Sequence, residues 1–367
     1  MKHPAYTDLK AGWHSGRIES LKAGEQIVPP HIQLIICDLC NQDCHFCSYR
    51  SEAGFSSEQY GEKQPDGSIL MNPKRFMSYE KATEILRDAA RLGVRAVQFT
   101  GGGEPTVHPR HLELFRYAIN LGLECALVSN GVIARDGILD TLPQFAWVRI
   151  SLDAGSGPTY AATRRTPESN FVKALANTRE LTARIAAEKS ACVVGIGYVV
   201  TTHNFGEIVE GCRLAKETGA SYIRLSAVFS REFVGPYLGI YARIKNSIDE
   251  ARTMHESDTF KIVDLFGDRI SDLDQHAPDY KTCGYQQFNM YIGADLKVYR
   301  CCTTSYTKHG EVGDLSQQSF QRWFLSDQKH AAYAGFDARS CQVCQFNDKN
   351  RTINYLTEKA PMHVNFV

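Results

Sequence analysis

No stretch of this 367-residue chain has the run of apolar residues that a membrane-spanning helix needs. The N-terminus, MKHPAYTDLKAGWHSG, lacks the apolar core of a secretory signal peptide. Together these absences predict a cytoplasmic protein without a membrane partner, in which thiols stay reduced. Neither charge is in excess, since 41 Lys and Arg balance 41 Asp and Glu. A neutral chain does not advertise nucleic acid, although a local basic patch would not show in the sum. There is no internal repeat and no low-complexity segment, so a solenoid is not expected. The remaining composition, 43% hydrophobic and 22% charged, is that of a globular chain with room for one large and one smaller domain.

What the chain has in quantity is cysteine. Nine of the twelve fall in two groups, Cys37, Cys40, Cys44 and Cys47, then Cys283, Cys301, Cys302, Cys341 and Cys344. Cys125 lies between the groups, and Cys192 and Cys212 sit in segments that read as core strand and helix. The first group follows the apolar run IQLII directly. Three thiolates on the loop CNQDCHFC (Cys40, Cys44, Cys47) can hold three irons of a 4Fe-4S cluster and leave the fourth open to a ligand. With Cys37 included, the run is C-x2-C-x3-C-x2-C, which also suits a zinc site or a closed electron-transfer cluster. Buried packing thiols are a further reading. Cys37 ends a predicted strand, so its side chain is expected to point away from the loop. Spacing alone leaves these readings open.

From residue 32 onward strand-like and helix-like segments alternate. Strands are predicted over 32–37, 94–100, 124–129, 147–153, 192–201 and 221–229. Helices are predicted over 79–92, with Ser78 as N-cap and Gly93 as stop, and over 109–120, 134–141, 206–219 and 237–255. Ser169 is read as the N-cap of a helix starting at Asn170. Six strands joined by helical crossovers make a parallel α/β pattern, an open partial (β/α)6 barrel rather than a closed eight-stranded one. In such folds chemistry collects at the C-terminal ends of strands. The cysteine loop, FTGGGEP (Phe99–Pro105), SNG (Ser129–Gly131) and ISLDA (Ile150–Ala154) all fall at such ends. Three consecutive glycines let a ligand approach backbone, and Glu104 can receive an ammonium group. SNG offers a hydroxyl and an amide, and period-2 alternation puts Ser151 and Asp153 on one side of their strand.

Taken together, these motifs resemble the radical SAM superfamily. The C-x3-C-x2-C loop, with Phe46 before its last cysteine, is similar to that family's cluster motif. The resemblance implies a 4Fe-4S cluster on Cys40, Cys44 and Cys47, with Cys37 outside it, and S-adenosylmethionine on its open iron. It further implies that Gly102, Gly103 and Glu104 meet the methionine amino group. Ser129, Asn130, Ser151 and Asp153 stand where members bind ribose and carboxylate, and Arg164 in TRRTP is the choice for the carboxylate. The second cysteine group resembles Twitch/SPASM extensions, implying one auxiliary 4Fe-4S cluster on Cys283, Cys301, Cys341 and Cys344. Members usually have proline before the cysteine where this chain has Arg300, and either Cys301 or Cys302 could be the ligand. A zinc site suits the same spacing. The expected organisation is an N-terminal extension (1–31), the barrel (32–260), a small α+β iron–sulfur extension (261–350) and a tail (351–367).

The resemblance implies reductive cleavage of S-adenosylmethionine to a 5′-deoxyadenosyl radical that abstracts a hydrogen from the substrate. Oxidation, rearrangement or epimerisation would follow. A low-potential donor such as flavodoxin or ferredoxin is the expected partner. Cys302 and Cys37 are the spare thiols that could return a hydrogen. Tyr285, Phe288, Tyr291 and Tyr306 either line a substrate pocket or form core. The segment Ser51–Met77 is either a lid or a loose connection. Too few residues precede 32 for a peptide-recognition module, so a small or nucleotide-like substrate is expected. A peptide-modifying enzyme and a non-enzymatic iron–sulfur or zinc protein are the alternatives.

Overall fold

A computed structural model describes residues 6–135 and 137–363. Its strands are β1 (His31–Leu34), β2 (Glu62–Lys63), β3 (Ile69–Leu70), β4 (Ala96–Phe99), β5 (Glu124–Ser129) and β6 (Trp147–Ser151). They continue with β7 (Val193–Val200), β8 (Tyr222–Ala227), β9 (Lys261–Asp264), β10 (Asn289–Ile292), β11 (Lys297–Tyr299) and β12 (Glu311–Asp314). The six predicted strands are β1 and β4 to β8, all parallel and adjacent in one sheet. β7 is buried along nearly its whole length, because helices cover one face and the barrel interior the other.

The sheet is longer than the barrel pattern. It has ten strands in the order β12-β11-β10-β1-β4-β5-β6-β7-β8-β9. The boundary expected at 260/261 therefore falls inside it, since β9 pairs in parallel with β8, Tyr222 opposite Lys261. At the other edge β10 pairs in parallel with β1, His31 opposite Asn289, and β11 and β12 continue antiparallel. Each edge of the six-stranded unit would otherwise present unpaired backbone groups, and the C-terminal segment satisfies both. Local patterning is blind to this pairing.

Helix boundaries follow local chemistry. Ser78 Oγ accepts from Lys81 N at 3.1 Å, and Gly93 closes helix Tyr79–Leu92 in the left-handed conformation (φ 105). Ser169 is not a cap as expected, because it is already helical in Ser169–Ala187. The residue that does cap is Ser156, at the head of an unpredicted helix, Gly157–Arg164. That helix ends at Arg165 (φ 47), two residues before Pro167, and presents Arg164 at its last turn.

Residues 51–77 are not a loose connection. Met77 N donates to Ile36 O at 2.9 Å, Asp38 N to Arg75 O at 3.0 Å and Gln59 N to Tyr306 O at 2.8 Å. The fully buried Tyr60 hydroxyl lies 2.5 Å from the Asp38 carbonyl and 2.9 Å from that of Gly102. Arg75 pairs with buried Asp38 at 2.7 Å. The segment is thus pinned to the cysteine loop, the glycine turn and the C-terminal extension. Tyr60→Phe leaves buried carbonyls without a donor, so urea unfolding is expected to show a loss of about 1–3 kcal/mol.

Candidate active site

The C-terminal ends of the barrel strands surround a cavity of about 380 Å³. Cys40, Cys44 and Cys47 line one wall, and their loop is held by its backbone. Asn72 accepts from Cys40 N and donates to Cys40 O, both at 3.1 Å. Asp43 N and His45 N donate to the carbonyls of Arg164 and Thr163 at 3.1 and 3.2 Å. Asn130 Nδ2 donates to Asn41 Oδ1 at 2.6 Å, tying the loop to the end of β5. Burial pushes the Cys40 thiol up to about 11, with Glu104 adding to it, and the Cys44 thiol up to about 12 against the pull of Arg164. These are thiols that ionise only against a strong local positive charge such as a metal.

Glu104 lies beside the cysteine loop, its N donating to Leu39 O at 3.0 Å, and is 3% exposed. Its Oε1 accepts from Thr106 N (3.0 Å), Thr106 Oγ1 (2.8 Å) and Ser129 Oγ (2.8 Å), and its Oε2 from Asn130 N (2.7 Å). Every donor is neutral, and among the described residues none forms an ion pair with Glu104. A buried carboxylate fixed in place without a cation suits an ammonium ligand. The adjacent glycines line the cavity and also have a packing reason. A Cβ at Gly102 would lie 2.2 Å from Asp38 Oδ1, and one at Gly103 2.2 Å from the Leu39 carbonyl. They let the turn pack beneath the cysteine loop, which sets the distance between Glu104 and the thiols.

Ser151 and Asp153 both line the cavity, although not through strand alternation. β6 ends at Ser151, and Asp153 turns inward through a left-handed residue (φ 57). Its carboxylate pairs with the buried guanidinium of Arg164 and accepts from Val199 N at 2.6 Å. Arg164 also donates to Gln42 Oε1 at 2.6 Å and Leu152 O at 3.3 Å. That occupies three of its five N–H groups.

Two of the spare thiols are now distinguished. Cys37, named as a hydrogen donor, does not reach the cavity. It is 1% exposed, with Sγ 3.0 Å from the Glu104 carbonyl, and its backbone bridges to Phe76. Cys302 does line the cavity, where its Sγ accepts from Gln345 Nε2 at 3.1 Å. Its neighbour Cys301 faces the other way, into a smaller cavity shared with Cys283, Cys341 and Cys344. Arg300, the departure from proline, lines that second cavity, held by Gln286 Oε1 at 2.8 Å and stacked 3.9 Å over Phe336. Among the described residues no three His, Cys, Asp or Glu side chains cluster tightly enough to grip a single ion.

The aromatics fall outside the main cavity. Tyr291 and Tyr306 join Tyr60 and Tyr299 in a satellite core, and Tyr285 stacks on Phe346 at 4.0 Å. The sequence reading missed Arg224 and Arg269, which do line the cavity. A signal for Arg224 existed: a charged residue at an alternating position of an otherwise buried strand, YIRLSA.

A parallel barrel with three loop thiols, a glycine turn and a buried carboxylate around one cavity is an enzyme site for a metal-assisted cofactor reaction. Residues 34–215 match the radical SAM superfamily, and this part of the chain is a radical SAM domain. Membership implies a 4Fe-4S cluster, S-adenosylmethionine and a reductant. Over 153 residues the chain is 26% identical to an S-adenosylmethionine-dependent nucleotide dehydratase of Flammeovirga pacifica, covering 41% of this chain and 48% of the relative. Over 338 residues it is 22% identical to a PqqA peptide cyclase of Ruegeria pomeroyi, covering 88% and 82%. The chain spans about half the length of several curated relatives it matches. Its fold is similar to that of Streptococcus suis SuiB bound to precursor peptide SuiA (TM-score 0.63, 14% identity), over 96% of this chain and 78% of SuiB. The likeness thus extends through the C-terminal segment. Among the described residues no helix is long and apolar enough to cross a membrane.

Proposed function

We propose that Cys40, Cys44 and Cys47 hold a 4Fe-4S cluster, that Glu104 receives the amino group of S-adenosylmethionine, and that the chain starts radical chemistry on a small or nucleotide-like substrate. The observation that carries this is Glu104: a buried carboxylate with four neutral donors and no cation, in the same cavity as the three thiols. When bound, a reduced cluster and S-adenosylmethionine supply a 5′-deoxyadenosyl radical that takes a hydrogen atom from the substrate. The protein's part is positioning. Gly102 and Gly103 set the height of Glu104 over the cysteine loop. Ser129, Asn130 and Ser151 offer polar groups for the ribose, and Arg164, held by Asp153 and Gln42, keeps two N–H groups for the carboxylate. The pinned 51–77 segment walls the cavity through Phe55 and Ser56 and limits competing hydrogen donors.

Cys283, Cys301, Cys341 and Cys344 are assigned to one auxiliary 4Fe-4S cluster, with Arg300 offsetting its charge. Cys302, facing the main cavity, is the remaining candidate hydrogen donor. The division between them is testable by iron counting. Cys301→Ser is expected to lower the content by about four irons per chain, and Cys302→Ser to leave it unchanged. The reverse outcome would exchange their roles. A flavodoxin- or ferredoxin-type donor in the cytoplasm completes the reading.

The similarity to a nucleotide dehydratase supports the nucleotide-like substrate. The longer similarity to a peptide cyclase favours a second reading, a peptide substrate. The central test is anaerobic reconstitution, iron and sulfide analysis, and detection of 5′-deoxyadenosine under strong reduction. Bound zinc with no cleavage of S-adenosylmethionine would sink the proposal.

A further inference from the structure

Among the described residues, one charge in the main cavity has no ion-pair or hydrogen-bond partner. Glu104 is saturated by neutral donors, Asp153 pairs with Arg164, and Arg269 pairs with Asp272 at 3.2 Å. Arg50 donates to the Gln42 carbonyl at 2.7 Å and pairs with Asp43. Arg224 makes no hydrogen bond and no ion pair with any described residue, and its Nε is sealed from solvent without an acceptor. Yet its side chain lines the cavity, on the strand β8 whose Ser226 lines it two residues further on.

The surroundings make the isolation worse. Gly197 of β7 lies opposite Arg224, and Gly195 lies opposite Arg149 of β6. The Arg149 side chain runs over Gly197, which has none of its own, so Arg149 and Arg224 feel each other across β7. Arg269 repels from a third side, while the ring of Tyr6 stands 5.9 Å from the Arg224 guanidinium. Burial, then Arg149, pushes the guanidinium down to about 10. Charged groups that leave bulk water are ordinarily paired, and an unpaired one facing a cavity marks a place where a ligand supplies the counter-charge. A planar guanidinium matches a planar carboxylate or a phosphate with two parallel hydrogen bonds.

We propose that Arg224, with Arg269 beside it, anchors an oxyanion of the substrate, either a carboxylate or a phosphate. The substrate is then a small anion held deep in the barrel, across the cavity from Glu104. Only the word substrate rests on the function proposed above. The anion site itself is independent of it.

The test is calorimetric titration of the full chain, as purified and after reconstitution with S-adenosylmethionine present, using inorganic phosphate and acetate at constant ionic strength. Wild-type protein is expected to bind at least one. Arg224→Gln should weaken that binding about 10- to 100-fold, the range for losing a charged hydrogen-bonding partner. Arg224→Lys keeps the charge without the fork and should fall between. Binding of phosphate alone identifies a phosphoester, of acetate alone a carboxylic acid, and of both an unselective oxyanion site. No binding to wild type, or equal binding to wild type and Arg224→Gln, overturns the proposal. Thermal unfolding checks that Arg224→Gln is folded, and if it is not, Arg224→Lys carries the same comparison. A chain that cleaves S-adenosylmethionine but ignores both anions refutes the anion site alone. A chain that binds them through Arg224 but never yields 5′-deoxyadenosine refutes the function alone.

Discussion

Cys44→Ala is expected to remove the barrel cluster and with it all detectable 5′-deoxyadenosine. Three protein thiolates leave a 4Fe-4S cluster one non-protein position, and losing one of them leaves two. The remaining loop cannot compensate, because Cys37, the nearest spare thiol in sequence, is buried against the Glu104 carbonyl. Cleavage should fall by more than about 100-fold, beyond the effect of removing a mere supporting hydrogen bond at a metal site. Iron should drop by about four per chain while the auxiliary group on Cys283, Cys301, Cys341 and Cys344 keeps its own. Cys37→Ala is the control and should retain full iron. If Cys44→Ala keeps its iron and Cys37→Ala loses it, the closed run C-x2-C-x3-C-x2-C is the correct reading.

Glu104→Gln is expected to leave iron untouched and to weaken binding of S-adenosylmethionine. The substitution keeps shape but removes the charge that meets an ammonium group. Leaving one partner of a buried ion pair unmatched typically costs about 3–5 kcal/mol, roughly two to almost four orders of magnitude in Kd. Amide geometry adds to this at Oε2, where a Gln amino group would face the donating N–H of Asn130. Equilibrium binding to the reconstituted protein separates the two variants, since Cys44→Ala loses iron and Glu104→Gln does not. Unchanged affinity in Glu104→Gln would remove the amino clamp from the mechanism.

Local pattern was enough for the six parallel strands, their helices and the gathering of four motifs at strand ends, because burial periodicity, caps and glycine stops are nearest-neighbour chemistry. It missed helix Gly157–Arg164, whose Ser156 cap lies in a glycine- and proline-containing stretch that reads as a turn. It also left open how the sheet continues beyond residue 260. A four-residue strand such as β9 or β10 has no period of its own, and its pairing is decided by which edge is free.

The site divides in the same way. The sequence by itself singled out the loop thiols and the carboxylate as candidates, because residue type and spacing limit what a cysteine loop can hold. Only the tertiary structure separated Cys301 from Cys302, which line different cavities although they are adjacent in sequence. Only it showed that the glycines also serve packing and that the 51–77 segment is hydrogen-bonded to the cysteine loop and the glycine turn. And only it exposed Arg224 as a charge without an ion-pair partner among the described residues, since a missing contact is a property of everything that surrounds a side chain.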